Sequence, residues 1–157
     1  MEKKCFKIWK FQNNYFIFVT IITFKIKLMK KIEPVHSSKL AVSPGPFSAG
    51  VKANGFLFLS GQVGIDQDGN LADHFDLEVR QIFKNIDAVL SEQKLTFNNI
   101  VSVTIYLKDM GNFKPLNDIY KTYFQEYYPT RTCIAVLELP LKANVEMTIT
   151  AALTENE

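Results

Sequence analysis

The sequence predicts a two-layer domain of α+β or α/β class: a mixed β-sheet with two amphipathic helices on one face. Three observations predict it. The segments follow the order strand, hairpin, helix, strand, helix, hairpin, an alternation that a sheet with covering helices satisfies. Two segments carry apolar residues at helical spacing. The last segment alternates Glu146, Thr148 and Thr150 with Val145, Met147, Ile149 and Ala151, the period of a strand. Neither side of that strand is wholly polar, so the sheet face away from the helices predicts association with other subunits.

The length of 157 residues suits one core and one domain. The net charge of +2 conceals two unlike parts. Residues 1–31 hold eight lysines and one glutamate, whereas residues 32–157 hold ten basic and fifteen acidic side chains, a net of −5. A mildly acidic domain argues against a surface that tracks phosphates. Residues 1–28 read as an extension, first as a leader or a mis-assigned start with Met29 as the true one. A membrane-contacting segment ranks second and a strand third. The apolar run Tyr15–Phe24 is short of the ~20 residues of a spanning helix and suits the ~7–15 of a signal-type core. The domain is residues 29–157. Cys5 and Cys133 are the two cysteines, which gives no disulfide framework and no zinc spacing. A reducing compartment is the simpler expectation, cytoplasmic or, if the extension is a leader, an organelle matrix.

In chain order, Lys31–Val35 reads as a short strand. Phe47–Ala53 and Phe56–Ser60 flank Asn54-Gly55, a strong two-residue hairpin signal. Asp66-Gln67-Asp68-Gly69-Asn70 is a polar turn. Asp73–Gln93 places Phe75, Val79, Ile82, Phe83, Ile86, Val89 and Leu90 on one helical stripe, with Asp76 and Glu78 where the helix dipole favours acids. Asn99–Leu107 is rich in Ile, Val, Thr and Tyr, as a strand is. Asn112 caps a second helix, whose stripe runs from Phe113 through Leu116, Ile119, Tyr120, Tyr123 and Phe124 to Tyr127, and which Pro129 ends. Its aromatic spacing marks these residues as core rather than a base-stacking platform. Two final strands, from Thr130 and from Val145, read as a hairpin.

Each of those final strands carries a charge that a half-buried strand rarely chooses, Arg131 and Glu146. Arg131 is one of two arginines. A guanidinium at a strand end fits a carboxylate with two hydrogen bonds, and a carboxylate in a partly dry site moves protons or orients water. Spacing alone favours the plainer reading, Arg131 paired with a surface acid and Glu146 on a wet sheet face. His36 and His74 lack a third ligand, so no metal is expected. Gly61 and Gly64 do not make a dinucleotide fingerprint. Ser60-Gly61 ends a strand, where glycine permits close backbone approach to a ligand or simply a turn. Cys133 reads as a small packing residue ahead of a nucleophile.

The chain resembles the RidA family, also called YjgF or L-PSP. The matching pieces are Gly45-Pro46-Phe47-Ser48-Ala49-Gly50, Leu59-Ser60-Gly61-Gln62-Val63, Asn85-Ile86, Val103-Thr104-Ile105-Tyr106-Leu107-Lys108-Asp109-Met110, Phe113 through Asn117 to Tyr120, Pro129-Thr130-Arg131-Thr132-Cys133, Leu139-Pro140 and Val145-Glu146. The resemblance implies a chorismate-mutase-like fold, a homotrimer with sites between subunits, and hydrolysis of 2-imino and enamine acids to 2-oxo acids and ammonia without a cofactor. It implies that Arg131 grips the substrate carboxylate and Glu146 activates water. It implies that Phe47, Ser60, Gly61, Asn117 and Cys133 line the cleft, Cys133 through its backbone carbonyl. Phe47 stands where Tyr is frequent, which removes a hydroxyl. Two other readings compete: an endoribonuclease that inhibits translation, with RNA affinity resting on the lysine-rich extension, and a non-enzymatic trimer that binds small carboxylates.

A geometric expectation follows from the assumed final hairpin. If Leu139 pairs with Val145, Arg131 falls opposite Leu153, and Glu146 lies about seven residues along the ladder, ~23 Å away at ~3.3 Å per residue. Each site would then take Arg131 and Glu146 from different chains.

Overall fold

The computed structural model describes residues 32–42, 45–124 and 126–154; the extension 1–28 and the boundary at Met29 lie outside them. The chain builds β1 (Glu33–Val35), β2 (Gly50–Ala53), β3 (Phe56–Leu59), β4 (Gln62–Val63), α1 (Phe75–Glu92), β5 (Ile100–Leu107), α2 (Phe113–Tyr120), β6 (Thr130–Ala135) and β7 (Val145–Ala152). The strands form one sheet in the order β1-β2-β3-β7-β5-β6, with β4 also paired to β7. The fold is the expected α+β arrangement of a mixed sheet and two helices.

The β2–β3 hairpin forms where Asn-Gly predicts it. Asn54 and Gly55 both have positive φ, 49° and 84°, which gives the loop the twist that matches its strands. The apolar stripe of α1 is buried at Val79, Ile82, Phe83, Ile86, Val89 and Leu90. It packs on the alternate residues of β5 and β7, where Val103, Ile105 and Leu107 and Val145, Met147, Ile149 and Ala151 are buried. The intervening residues of β5 and β7 are half-buried on the opposite face. On that face Phe56, Phe58 and Ile134 are 40, 45 and 44% exposed, so the side away from the helices is open and partly apolar in the single chain.

The final hairpin does not form. β5 lies between β6 and β7, parallel to β6 and antiparallel to β7. The segment after β6 does not turn back beside it: Val136 N–H still donates to Leu107 O at 2.9 Å. A tight turn at Pro140–Lys142, with φ of 56° at Leu141 and 63° at Lys142, then starts β7 two strands away. The second helix is also shorter than its stripe. It ends at Tyr120, and Tyr123 and Phe124 reach the core through turns. Its entry is set by Asp109, whose Oδ1 accepts from Gly111 N–H at 2.8 Å, while Asn112 makes no side-chain cap.

Candidate active site

The candidate residues fall into two groups on opposite faces of the sheet. Paired residues on adjacent strands project to the same side. Arg131 pairs with Val103, which pairs with Ile149, both buried beneath the helices. Arg131 therefore stands on the helix side. Glu146 pairs with Tyr106 and Val63, on the open side. Along the sheet the two lie three residues and two strands apart, about 14 Å between backbones at ~3.3 Å per residue and ~4.8 Å per strand. The ~23 Å separation expected from a hairpin is thus overturned, because β5 intervenes and resets the register. Within one chain the side chains do not converge.

The helix-side half-site belongs to β6 and α2. Phe113, Asn117 and Tyr120 recur at i, i+4 and i+7 and share one helical face. Arg131 lies against that face. Its Nη1 donates to Asn117 Oδ1 at 2.7 Å, and its Cζ sits 4.8 Å from the Tyr120 ring centroid and 5.6 Å from that of Phe113. The guanidinium sits over two aromatic rings. It has no carboxylate partner among the salt bridges of the described residues, so a charged fork is displayed on an exposed edge strand. Cys133 lies two residues on, paired with Ile105 on the same face. Its thiol is free, and burial pushes its pKa up while Arg131 pulls it down. That balance suits a packing residue better than a thiolate nucleophile.

The open-side half-site belongs to β7 and the β3–β4 corner. Glu146 is half-buried and, among the described residues, its side chain makes no hydrogen bond or ion pair. Burial alone raises its pKa above the usual glutamate value. Its carboxylate leans on Gly61: an ideal Cβ on that glycine would stand 1.8 Å from Oε1. Beside it, Ser60 Oγ donates to Ser48 O at 2.7 Å, and Ser60 N–H donates to Ala49 O at 3.0 Å. Ser60 thereby pins the segment that carries Phe47, which is exposed.

The sequence-predicted residues thus fall into two groups: Arg131, Asn117 and Cys133 on one side, and Glu146, Gly61, Ser60 and Phe47 on the other. Sequence reasoning missed Phe113 and Tyr120 as partners of Arg131, having read both as core. Their i, i+7 spacing about Asn117 was the available signal. The Tyr120 hydroxyl is buried without a hydrogen-bond partner among the described residues, and burial pushes its pKa up to about 12. No group of three His, Cys, Asp or Glu side chains among the described residues is arranged to hold a metal. No helix among them is long and apolar enough to cross a membrane.

Comparison with known proteins bears on this geometry. The family model described as "Endoribonuclease L-PSP" matches residues 38–153. A "RutC family protein" from Aquifex aeolicus is 48% identical over 120 residues, spanning 74% of this chain and 96% of its own. The mouse protein named "2-iminobutanoate/2-iminopropanoate deaminase" is 36% identical over 115 residues, 72% of this chain and 85% of its own. The crystal structure of yeast Mmf1 superposes with a TM-score of 0.76 at 30% identity, covering 79% of this chain and all of that one.

Proposed function

The chain belongs to the endoribonuclease L-PSP family, which includes RutC- and RidA-type proteins, and on that premise we propose that it hydrolyses reactive 2-imino and enamine acids to 2-oxo acids and ammonia. The reading extends to a homotrimer in which Arg131 of one subunit and Glu146 of another face a single cleft. It rests on the opposite-face placement of the two residues, on the partly apolar open face, and on the name of the mouse relative. The observation that carries most weight is the state of Glu146, a half-buried carboxylate with a raised pKa and no internal partner.

The chemistry asks little more than this. Arg131 binds the substrate carboxylate through the part of its fork that Asn117 leaves open. For a protonated imine, water adds to the carbon of C=N while the Glu146 carboxylate takes a proton from it, giving a carbinolamine. The Glu146 carboxyl then returns that proton to nitrogen. The C–N bond breaks as the oxygen lone pair forms C=O, and the hydroxyl proton leaves with ammonia as ammonium. An enamine first accepts a proton at carbon from the same carboxyl. A carboxyl whose pKa lies above the ordinary range is better matched to giving back the proton it takes. Orientation of water and substrate supplies much of the remainder. Phe47, Ser60, Gly61 and Cys133 complete the proposed lining, Cys133 through its backbone carbonyl.

The test generates 2-iminopropionate or 2-iminobutyrate in situ with an amino-acid oxidase or dehydratase and follows its disappearance. Hydrolysis should accelerate with the wild type and not with Arg131→Ala. A folded wild-type oligomer that is inert towards several imino acids sinks the proposal. The family description favours one other reading, an endoribonuclease. The net charge of −5 over residues 32–157 weighs against it, and RNA cleavage lost on deleting residues 1–28 would support it. The third reading, a non-enzymatic carboxylate binder, predicts saturable binding of 2-oxo acids without turnover. The compartment proposed is the cytoplasm, or an organelle matrix where residues 1–28 act as a leader.

A further inference from the structure

We propose that Glu78 is a positioning residue for Glu146, acting through Asn144; the catalytic part of this inference rests on the deaminase reading. Glu78 is 1% exposed, and its side chain lies beneath the helix rather than at a solvated first turn. Its Oε2 accepts the backbone N–H of Asn144 at 2.8 Å, and its Oε1 accepts from Asn144 Nδ2 in a short hydrogen bond. Asn144 immediately precedes β7 and stands two residues before Glu146. The carbonyl of Asn144 in turn accepts from Lys108 N–H at 3.0 Å, which closes the clamp on the end of β5.

A second grip lies two turns along α1. Asn85, 6% exposed, donates through Nδ2 to Val63 O at 3.2 Å and to Ile65 O at 3.0 Å, and Gln81 Nε2 donates to its Oδ1 at 2.8 Å. Val63 is the strand partner of Glu146. Between the two grips Gly64 packs so tightly that a Cβ there would stand 2.5 Å from Glu78 Cα. α1 therefore holds both β4 and the lead-in to β7 from the helix side of the sheet. The carboxylate that emerges on the other side has no hydrogen bonds of its own to fix it. A buried carboxylate is costly unless its lone pairs are satisfied, and here Asn144 satisfies both oxygens. A backbone anchored by a charge-assisted pair gives Glu146 a fixed base. Arg131 lies on β6 and has no contact with this clamp, so the two halves of the site separate experimentally.

The experiment compares Glu78→Gln, Asn144→Ala and the exchange pair Glu78→Gln with Asn144→Asp. Glu78→Gln is near-isosteric but removes the charge from the pair, so that the Asn144 amide must turn over to set its Oδ1 against the new NH2. The exchange pair restores a charge-assisted contact, with the carboxylate now on the other partner. In Glu78→Gln, kcat for imine hydrolysis should fall roughly 30–100-fold, the loss expected of a displacement near 1 Å. KM should stay within about twofold, since the carboxylate anchor is untouched. The exchange pair should recover most of kcat. Crystal structures of the variants provide a readout independent of turnover: the Glu146 carboxylate should be displaced or lose its single position in Glu78→Gln and return in the exchange pair. Asn144→Ala removes only the side-chain contact and covers the case in which Glu78→Gln does not fold. A Glu146 carboxylate unmoved in folded Glu78→Gln or Asn144→Ala overturns the proposal, as does a kcat loss that the exchange pair does not recover. If the wild type hydrolyses no imine, the functional reading fails, while the crystallographic displacement still decides the clamp.

Discussion

Replacing Gly61 by alanine isolates the placement of one carboxylate from the stability of the fold. Gly61 has no left-handed backbone angle that would require glycine, and what a new Cβ would meet is the side chain of Glu146, at 1.8 Å from Oε1 and 2.7 Å from Cδ. Ordinary contact begins near 3.4 Å, so Oε1 has to retreat by about 1.6 Å. The far end of a glutamate side chain rotates away cheaply. Gly→Ala at a compatible backbone angle tends to gain about 0.4–1 kcal/mol through the unfolded chain. Stability should hold or rise slightly. Activity should not, because a misplacement of ~1 Å costs about 10²-fold, or ~2.7 kcal/mol of barrier. The assay is kcat/KM for imine hydrolysis beside a thermal melt. The same substitution is then made in a Glu146→Gln background, where it should add almost nothing, since the residue it displaces is already disabled. Wild-type kcat/KM in Gly61→Ala would refute the reasoning. A further large loss in the Glu146→Gln background would show that the methyl group obstructs substrate instead.

Glu146 also makes a pH prediction. Its carboxyl is held above the usual range by burial, so the folded state binds its proton more tightly than the unfolded chain does. The stability this contributes is full below the unfolded pKa and is lost as pH rises through the folded one. Glu146→Gln should therefore melt higher than wild type at pH 7, with the difference gone near pH 4; a wild type that melts higher at pH 7 contradicts the assignment. The acid limb of the kcat/KM profile should lie above the ordinary glutamate pKa and vanish in that variant. Tyr120→Phe removes a buried hydroxyl with no hydrogen-bond partner among the described residues. It should raise stability by about 1 kcal/mol, a few degrees in Tm. A lower Tm would mean that the hydroxyl finds a partner in the assembled protein.

Much of the fold is legible in the sequence where the signal is local. Asn54-Gly55 demands two positive φ angles and obtains them. The stripe of α1 has one period, and one wall to face. Legibility fails where neighbours are chosen by the whole sheet. β6 and β7 are adjacent in sequence and each reads as a strand, but nothing in their composition says that β5 separates them. That one insertion changes the site, because it brings Arg131 and Glu146, on opposite faces under either pairing, from seven residues apart along the sheet to three. The end of α2 is hidden for a different reason. Tyr123 and Phe124 keep a helical spacing yet pack through turns, while Thr122 Oγ1 donates back to Ile119 O at 2.7 Å, a bond that competes with the helical ladder. Arg131 and Glu146 are visible as unusual strand charges. The cradle of Arg131 is not, because an aromatic ring that stacks on a guanidinium and one that fills a core carry the same letter.

The opposite-face placement of Arg131 and Glu146 has a consequence for inheritance and dosage. Under the shared-site reading, each chain donates an anchor to one neighbour and a proton carrier to the other. Two inactive alleles, Arg131→Ala and Glu146→Ala, would then complement one another. In a closed ring assembled at random from equal amounts of both, about a quarter of the sites pair an intact Arg131 with an intact Glu146. Dissolving and reassembling two dead preparations together should return about that fraction of activity. No activity would regenerate if one chain supplied both groups. A lesion in one half of the site is thus dominant over nothing but its own interface.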